Sequence, residues 1–286
     1  MKTRHPDTHD PSPYAEGPSS PLDAAVSARD YKILDMVSEA IAHRETALAF
    51  QPIVTLRAPQ AVAFHEGLIR VFDATGRVIP GKDFIAAIEP TDLGRQIDCI
   101  GLEHGLETLR RVPNLRLSIN MSARSIGYRH WMHTLNAGLA QDPTIAERLI
   151  LEITERSAIT IPELVTDFME ELQMRGVAFA LDDFGAGYTS FRHFRDFYFD
   201  IVKIDGEFIR GIHANADNQV LTAALASIAG HFDMFTVAEK VEDARDAAWL
   251  AENGIDCAQG HFFGAPTLQP PWLASDRTSD RARDRA

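Results

Sequence analysis

Phe179-Ala180-Leu181-Asp182-Asp183 decides how the rest of this chain is read: a short apolar run of strand character that stops at two adjacent carboxylates. The same ending recurs on either side of it. Upstream lie Phe64-His65-Glu66, Leu117-Ser118-Ile119-Asn120 and Leu149-Ile150-Leu151-Glu152; downstream lie Ile201-Val202-Lys203-Ile204-Asp205 and Val237-Ala238-Glu239. Strands that each end at a group able to bind a metal or steer a phosphate, with helical segments between, predict an α/β barrel. In such barrels the C-terminal strand ends converge on one mouth. Acids crowded there repel one another and move upward in pKa unless cations neutralise them. A divalent-metal enzyme is the first reading.

Outward from these strands the alternation is regular. Apolar periodicity predicts helices over 30–44, 83–89, 92–111, 131–139, 162–175, 218–232 and 244–253. Pro162 suits a first helical turn, and Gly176 and Gly254 suit C-caps. Strands are expected at 50–54, 61–72, 115–120, 148–153, 177–182, 200–204, 235–238 and 256–258, which completes a (β/α)₈ set. Pro52 marks its strand as irregular or edge-like. The 286 residues, 45% of them hydrophobic, suit one barrel, which needs roughly 250 residues. Residues 1–28 are polar and carry Pro6, Pro11, Pro13, Pro18 and Pro21, the composition of a disordered arm. Residues 275–286 mix Arg and Asp without apolar period, a second disordered tail, so 29–274 is the expected domain.

Composition narrows the function. The net charge of −13, from 41 acids against 28 Lys and Arg, disfavours a non-specific binder of nucleic-acid polymers, which needs a basic stripe, but leaves room for a nucleotide substrate met by metals and a few local Arg or Lys residues. Cys99 and Cys257 lie far apart and read as buried, reduced small hydrophobes. No segment has the length and apolarity of a membrane span or signal peptide, so the expected location is cytoplasmic. A homodimer is left open, and no regulatory partner is indicated.

Any one acid at a strand end is usually a helix N-cap or turn residue. Glu66, Glu152, Asp182, Asp183 and Glu239 at equivalent ends, joined by Asn120, form a pattern that this explanation does not cover. Their oxygens are hard ligands of the kind Mg²⁺ and Mn²⁺ prefer. Adjacent acids such as Asp182-Asp183 can serve two ions at once, the clamp used on phosphodiesters. Lys203 is a candidate for holding a nucleophile or stabilising charge on phosphorus, and Arg70 suits a phosphate or a structural ion pair. His65 should face away from Glu66 by strand alternation. The glycine loop Phe184-Gly185-Ala186-Gly187-Tyr188 is weak evidence of phosphate binding by itself.

Taken together, Phe50-Gln51-Pro52-Ile53-Val54, Glu66-Gly67-Leu68-Ile69-Arg70, Asn120-Met121-Ser122-Ala123, Leu151-Glu152-Ile153-Thr154-Glu155, Asp182-Asp183-Phe184-Gly185-Ala186-Gly187-Tyr188, Lys203-Ile204-Asp205, Val237-Ala238-Glu239-Lys240-Val241-Glu242 and Ala258-Gln259-Gly260 are specific. From about Tyr31 to Ala274 the chain resembles the EAL-domain cyclic-di-GMP phosphodiesterases. The resemblance implies a TIM-like barrel variant with an antiparallel first strand. It also implies hydrolysis of cyclic di-GMP to linear pGpG with two Mg²⁺ or Mn²⁺ ions. Carried over by residue, Glu66, Asn120, Glu152 and Asp182 would hold one ion, and Asp182 and Asp183 the other. Glu239 would hold or deprotonate the attacking water, beside Lys203. Gln51, Arg70, Asp205, Glu242 and Gln259 would contact substrate or support the site, and Glu155 would anchor the glycine loop.

Three residues depart from that pattern. Gly67 stands where the family has alanine, which adds backbone freedom. Lys240 stands where glycine is usual, and either points away or neutralises Glu239. His261 replaces an aromatic residue. None removes a proposed catalytic side chain, so an active enzyme is the expected reading. Its alternatives are a catalytically silent or slow cyclic-di-GMP receptor, a protein-interaction module, or a phosphodiesterase for another nucleotide.

Overall fold

The computed structural model describes residues 21–186 and 197–273, with backbone alone for 21–30. Most of the expected N-terminal arm, the whole expected C-terminal tail and the loop from Gly187 to Ser190 lie outside the described residues.

The described strands are β1 (Thr46–Thr55), β2 (Val62–Phe72), β3 (Val78–Pro80), β4 (Leu117–Asn120), β5 (Leu149–Thr154), β6 (Ala178–Phe184), β7 (Ile201–Ile204), β8 (Phe235–Ala238) and β9 (Cys257–Ala258). From β4 to β9 each strand pairs in parallel with the next, and β2 joins the series parallel to β4. β1 is antiparallel to both β2 and β9 and closes the ring. The reason is the short link between β1 and β2: parallel neighbours need a crossover of a dozen or more residues, whereas these two are joined as a hairpin. Pro52 lies in β1 away from Val54 and Thr55, the residues paired with β9, so its missing N–H takes no bond from that ladder.

Helices cover the outside. Those at Asp92–Arg111, Arg129–Gln141, Pro162–Gln173, Ala216–His231 and Ala244–Glu252 match the expected segments to within a few residues at each end. Two elements differ. The first helix runs Pro21–Ala42 and takes in the end of the expected arm. Leu22, Ala24, Ala25 and Ala28 are good helix formers, and a proline is tolerated in a first turn. The second difference is β3, which pairs with Arg70, Val71 and Phe72 of β2 and is too short to leave a periodic signal. Among the described residues, no helix is long and apolar enough to cross a membrane.

Strand alternation gives the barrel two separate cores. Outward-facing Leu117, Ile119, Leu151, Phe179, Leu181, Val202 and Ile204 pack with the helices in the largest cluster. Ile53, Phe64, Ile150, Ala180, Ile201, Val237 and Cys257 form a smaller cluster of their own, the apolar plug inside the barrel. Val37 and Ala40 of the first helix join Val71, Phe84, Ile88 and Ile97 in a third.

Candidate active site

Two residues beyond the plug, on the same inward face of each strand, stand the polar side chains. Phe64 leads to Glu66, Ile150 to Glu152, Ala180 to Asp182, Ile201 to Lys203, Val237 to Glu239 and Cys257 to Gln259. Ile53 leads back to Gln51 because β1 runs the other way. All of these polar residues but the fully buried Glu152 line the floor of a cavity of about 700 Å³, to which Arg70, Asn120, Asp183, Lys240, Glu242 and His261 also contribute, a size that suits a small organic ligand.

Lys203 is the centre of the floor. It is only 1% exposed, and its Nζ lies 2.7 Å from Glu152, 2.9 Å from Glu239, 3.0 Å from Asp182 and 3.3 Å from Glu66. Burial alone would lower its pKa, but the attraction of Asp182, Glu152, Glu239 and Glu66 wins and raises it well above the ordinary lysine value. The acids respond to the same burial. Glu152 is pushed up to about 8 by desolvation and by Glu66, against the pull of Lys203. Desolvation likewise raises Glu239 well above the usual carboxylate range, with Lys203 opposing. One ammonium does not balance four acids.

The Asp182-Asp183 pair depends on a backbone irregularity. Neighbouring residues of a regular strand point to opposite faces. Here the β6–β7 register shifts between Leu181 and Phe184, and Asp183 adopts a left-handed φ of 56°. Asp tolerates that region better than most residues. The result is that Asp182, Asp183 and Glu239 bring one carboxylate oxygen each within 4.8 Å of one another. Asp183 is raised by partial desolvation and then by the charges of Asp182 and Asp205. Beyond it, Gly185 has φ +94° and no room for a Cβ, which would lie 2.8 Å from Phe208; its N–H donates to Glu155 at 3.3 Å.

An amide chain holds the other side. Gln259 Nε2 donates to Glu66 at 2.6 Å and to Gln51 Oε1 at 3.1 Å, and Gln51 Nε2 donates to the Gly264 carbonyl at 3.0 Å. Asn120 Nδ2 donates to the second Glu66 oxygen at 2.8 Å. Arg70 reaches the cavity wall half-buried while donating to the Ile69 carbonyl. Glu242 lies at the rim, 3.5 Å from Arg210. His65 faces away and packs edge-on against Trp272.

Three sequence expectations need correction or completion. Asp205 does not line the cavity: it is 3% exposed, caps the helix Gly206–Ile209 by accepting from Glu207 N–H, and accepts from Lys240 at 2.8 Å. Lys240 therefore neither points away nor takes Glu239 as its bonded partner. Gly67 is not simply a freer backbone, because a Cβ there would lie 2.8 Å from Ile119 Cδ1; the isoleucine fills the space of the absent methyl. Lys82 and Thr154 also line the cavity; Lys82 lies away from the strand ends, and Thr154 follows Glu152 by two residues at the end of β5.

The donors suit a hard divalent cation. All are oxygens, Glu152 Oε1 is buried with no hydrogen-bond partner among the described residues, and the three-carboxylate cluster has the spacing of a cation site. Glu66 and Glu152 share the Lys203 ammonium with Asp182, so Asp182 links the buried floor to that cluster.

Comparison with known proteins assigns the architecture. The EAL domain family model matches residues 34–266. The chain belongs to the EAL domain family. Curated relatives include the cyclic di-GMP phosphodiesterases PdeF and PdeR of Escherichia coli (strain K12). PdeF is 30% identical over 238 residues, which are 82% of this chain and 32% of PdeF. PdeR is 30% identical over 265 residues, 90% of this chain and 39% of PdeR. The chain thus spans about a third of the length of these relatives. Among solved structures, an EAL domain protein from Listeria monocytogenes EGD-e superposes with a TM-score of 0.72 at 26% identity, covering 82% of this chain and 93% of that one. The FimX EAL domain of Pseudomonas aeruginosa bound to c-di-GMP gives a TM-score of 0.75 at 21% identity over 83% and 97%. That likeness speaks to the EAL fold alone.

Proposed function

We propose that this EAL domain hydrolyses cyclic di-GMP to linear pGpG with two Mg²⁺ or Mn²⁺ ions. The observation that carries the reading is the joined acid set: four carboxylates on buried Lys203, sharing Asp182 and Glu239 with the Asp182, Asp183 and Glu239 cluster. Glu66, Asn120, Glu152 and Asp182 would hold one ion, and Asp182, Asp183 and Glu239 the other. Bound there, such ions neutralise a phosphodiester and activate water for in-line attack.

The chain's own groups do the rest. Arg70 offers the phosphate a charged fork on the cavity wall. Lys203 holds Glu152, Asp182 and Glu239 at fixed positions, so that little reorganisation is needed when charge develops on phosphorus. Glu239, 2.9 Å from Lys203 and clustered with Asp182 and Asp183, would take the proton of the attacking water. Gln259 and Gln51 fix the orientation of Glu66 from the opposite side.

The test is incubation with cyclic di-GMP, products resolved by chromatography, with and without chelator. Chelation is expected to abolish turnover, Mg²⁺ or Mn²⁺ to restore it, and Ca²⁺ to bind without supporting it. Full activity in excess chelator would overturn the two-ion reading. Asp183→Asn is expected to lose at least about a hundredfold in turnover, roughly 3 kcal/mol, with a much smaller loss of cyclic-di-GMP binding. A wild-type chain that binds cyclic di-GMP and never cleaves it would make this domain a receptor.

A further inference from the structure

We propose that Lys240 is a tethered cation that weakens divalent-cation binding at the Asp182, Asp183 and Glu239 cluster and so sets the cation concentration at which the site fills. This rests on the phosphodiesterase reading above. Lys240 has φ 54°, a left-handed conformation that disfavours side chains and suits glycine. At β6 the same conformation brings two successive side chains, Asp182 and Asp183, to the cavity. After β8 it does the same for Glu239 and Lys240, and both line the wall. The lysine is therefore presented to the acid cluster by the backbone.

Its surroundings are shaped to hold it there. The stem lies over Gly206, where any Cβ would come within 2.3–2.7 Å of Lys240 Cβ, Cγ and Cδ. The ammonium is 2.8 Å from Asp205 Oδ2, with the Lys240 side chain 50% exposed and that of Asp205 5% exposed. The charges of Asp205, Glu239 and Asp183 all favour its protonated form. A positive charge tethered to Asp205 and felt by Asp183 and Glu239 opposes an arriving divalent ion. It also neutralises Asp205, which would otherwise add a fourth negative charge to the field of the cluster.

Charge arithmetic makes this falsifiable without substrate. Calorimetric titration of Mn²⁺ would be carried out on the wild type, Lys240→Gly, Lys240→Arg, Asp205→Asn and the Lys240→Gly/Asp205→Asn double variant. Lys240→Gly leaves Asp205 uncompensated and is expected to tighten the weaker Mn²⁺ site about tenfold, the size of one unit charge acting on a divalent ion in a wet cavity. Asp205→Asn leaves the ammonium uncompensated and should weaken that site. Lys240→Arg and the double variant should stay near wild type. General structural damage would weaken binding in every variant, so opposite signs for the two single changes separate the proposal from it. A folded Lys240→Gly with unchanged or weaker affinity overturns the proposal. If that variant does not fold, unchanged affinity in Asp205→Asn overturns it instead. A wild type that hydrolyses cyclic di-GMP while Lys240→Gly leaves Mn²⁺ affinity unmoved sinks this inference alone. A wild type that takes up no Mn²⁺ sinks the two-ion reading as well.

Discussion

Two positions separate Phe64 from Glu66, Ile150 from Glu152, Ala180 from Asp182, Ile201 from Lys203 and Val237 from Glu239, yet the first of each pair lies in an apolar plug and the second in a charged floor. Both layers share strands, inward direction and burial. They differ in what burial does to them. Removing apolar surface from water stabilises the plug at about 25 cal/mol per Å². Removing carboxylates from water destabilises the floor and raises Glu152 to about 8, because Lys203 neutralises only part of the charge. The plug also keeps water from reaching the floor from below, which strengthens the field around Lys203. The stable layer supports the reactive one.

The largest effect should come from removing the ammonium. Lys203→Met leaves Glu66, Glu152, Asp182 and Glu239 facing one another without a fixed cation. The expected loss is about 3–5 kcal/mol of stability in chelator, read as a fall in the thermal midpoint, together with loss of cyclic-di-GMP hydrolysis. An unchanged midpoint would show that the floor does not depend on Lys203. Next comes the plug itself. Phe64→Ala should lose about 3–5 kcal/mol, with turnover per folded molecule within about twofold of wild type at low temperature. If turnover collapses while the fold survives, plug and floor are not separable layers.

A weaker effect distinguishes the layers by pH. The folded-state pKa of Glu152, about 8, lies above its ordinary value of 4.5, so the folded chain holds the extra proton. Its stabilising contribution is full below about pH 4.5 and is lost as pH rises through about 8; the raised Glu239 acts in the same direction. In chelator the thermal midpoint should therefore fall by roughly 5 °C between pH 5 and pH 8. Saturating Mg²⁺ should flatten the slope. A midpoint that rises over this window would contradict the charged-floor account.

The smallest effect tests the outer face. A methyl at Gly67 would lie 2.8 Å from Ile119 Cδ1 and 3.2 Å from Leu48 Cδ1. Gly67→Ala should lose about 1 kcal/mol in urea titration, and Ile119→Val in the same chain should recover most of it. No recovery would place the strain elsewhere, for instance at the Ser118 carbonyl 3.3 Å away.

Much of the fold was legible because each strand is a short apolar run with a polar end, and such runs can be read without tertiary context. Ile201-Val202-Lys203-Ile204 is an example: its apolar residues marked a buried strand, while the burial of the lysine among them is seen only in the folded chain. Val78–Pro80 carried no such signal because three residues cannot show a period. The helical turn at Pro21 was hidden by a proline-rich neighbourhood that read as an arm. At the site, the acids on Lys203 were legible as strand ends, whereas Lys82 became visible only as a cavity wall.

By itself the sequence determined which strands form, which of their residues share a face and which end carries the acids, since all three follow from alternation along the chain. The tertiary structure alone decided what those residues do to one another. It placed Asp182 and Asp183 on one side through a left-handed residue and a register shift, and it joined Lys240 to Asp205. It also enclosed Lys203 among four carboxylates. Distance and burial set the strength of each of these interactions, and both arise only when the ring of strands closes.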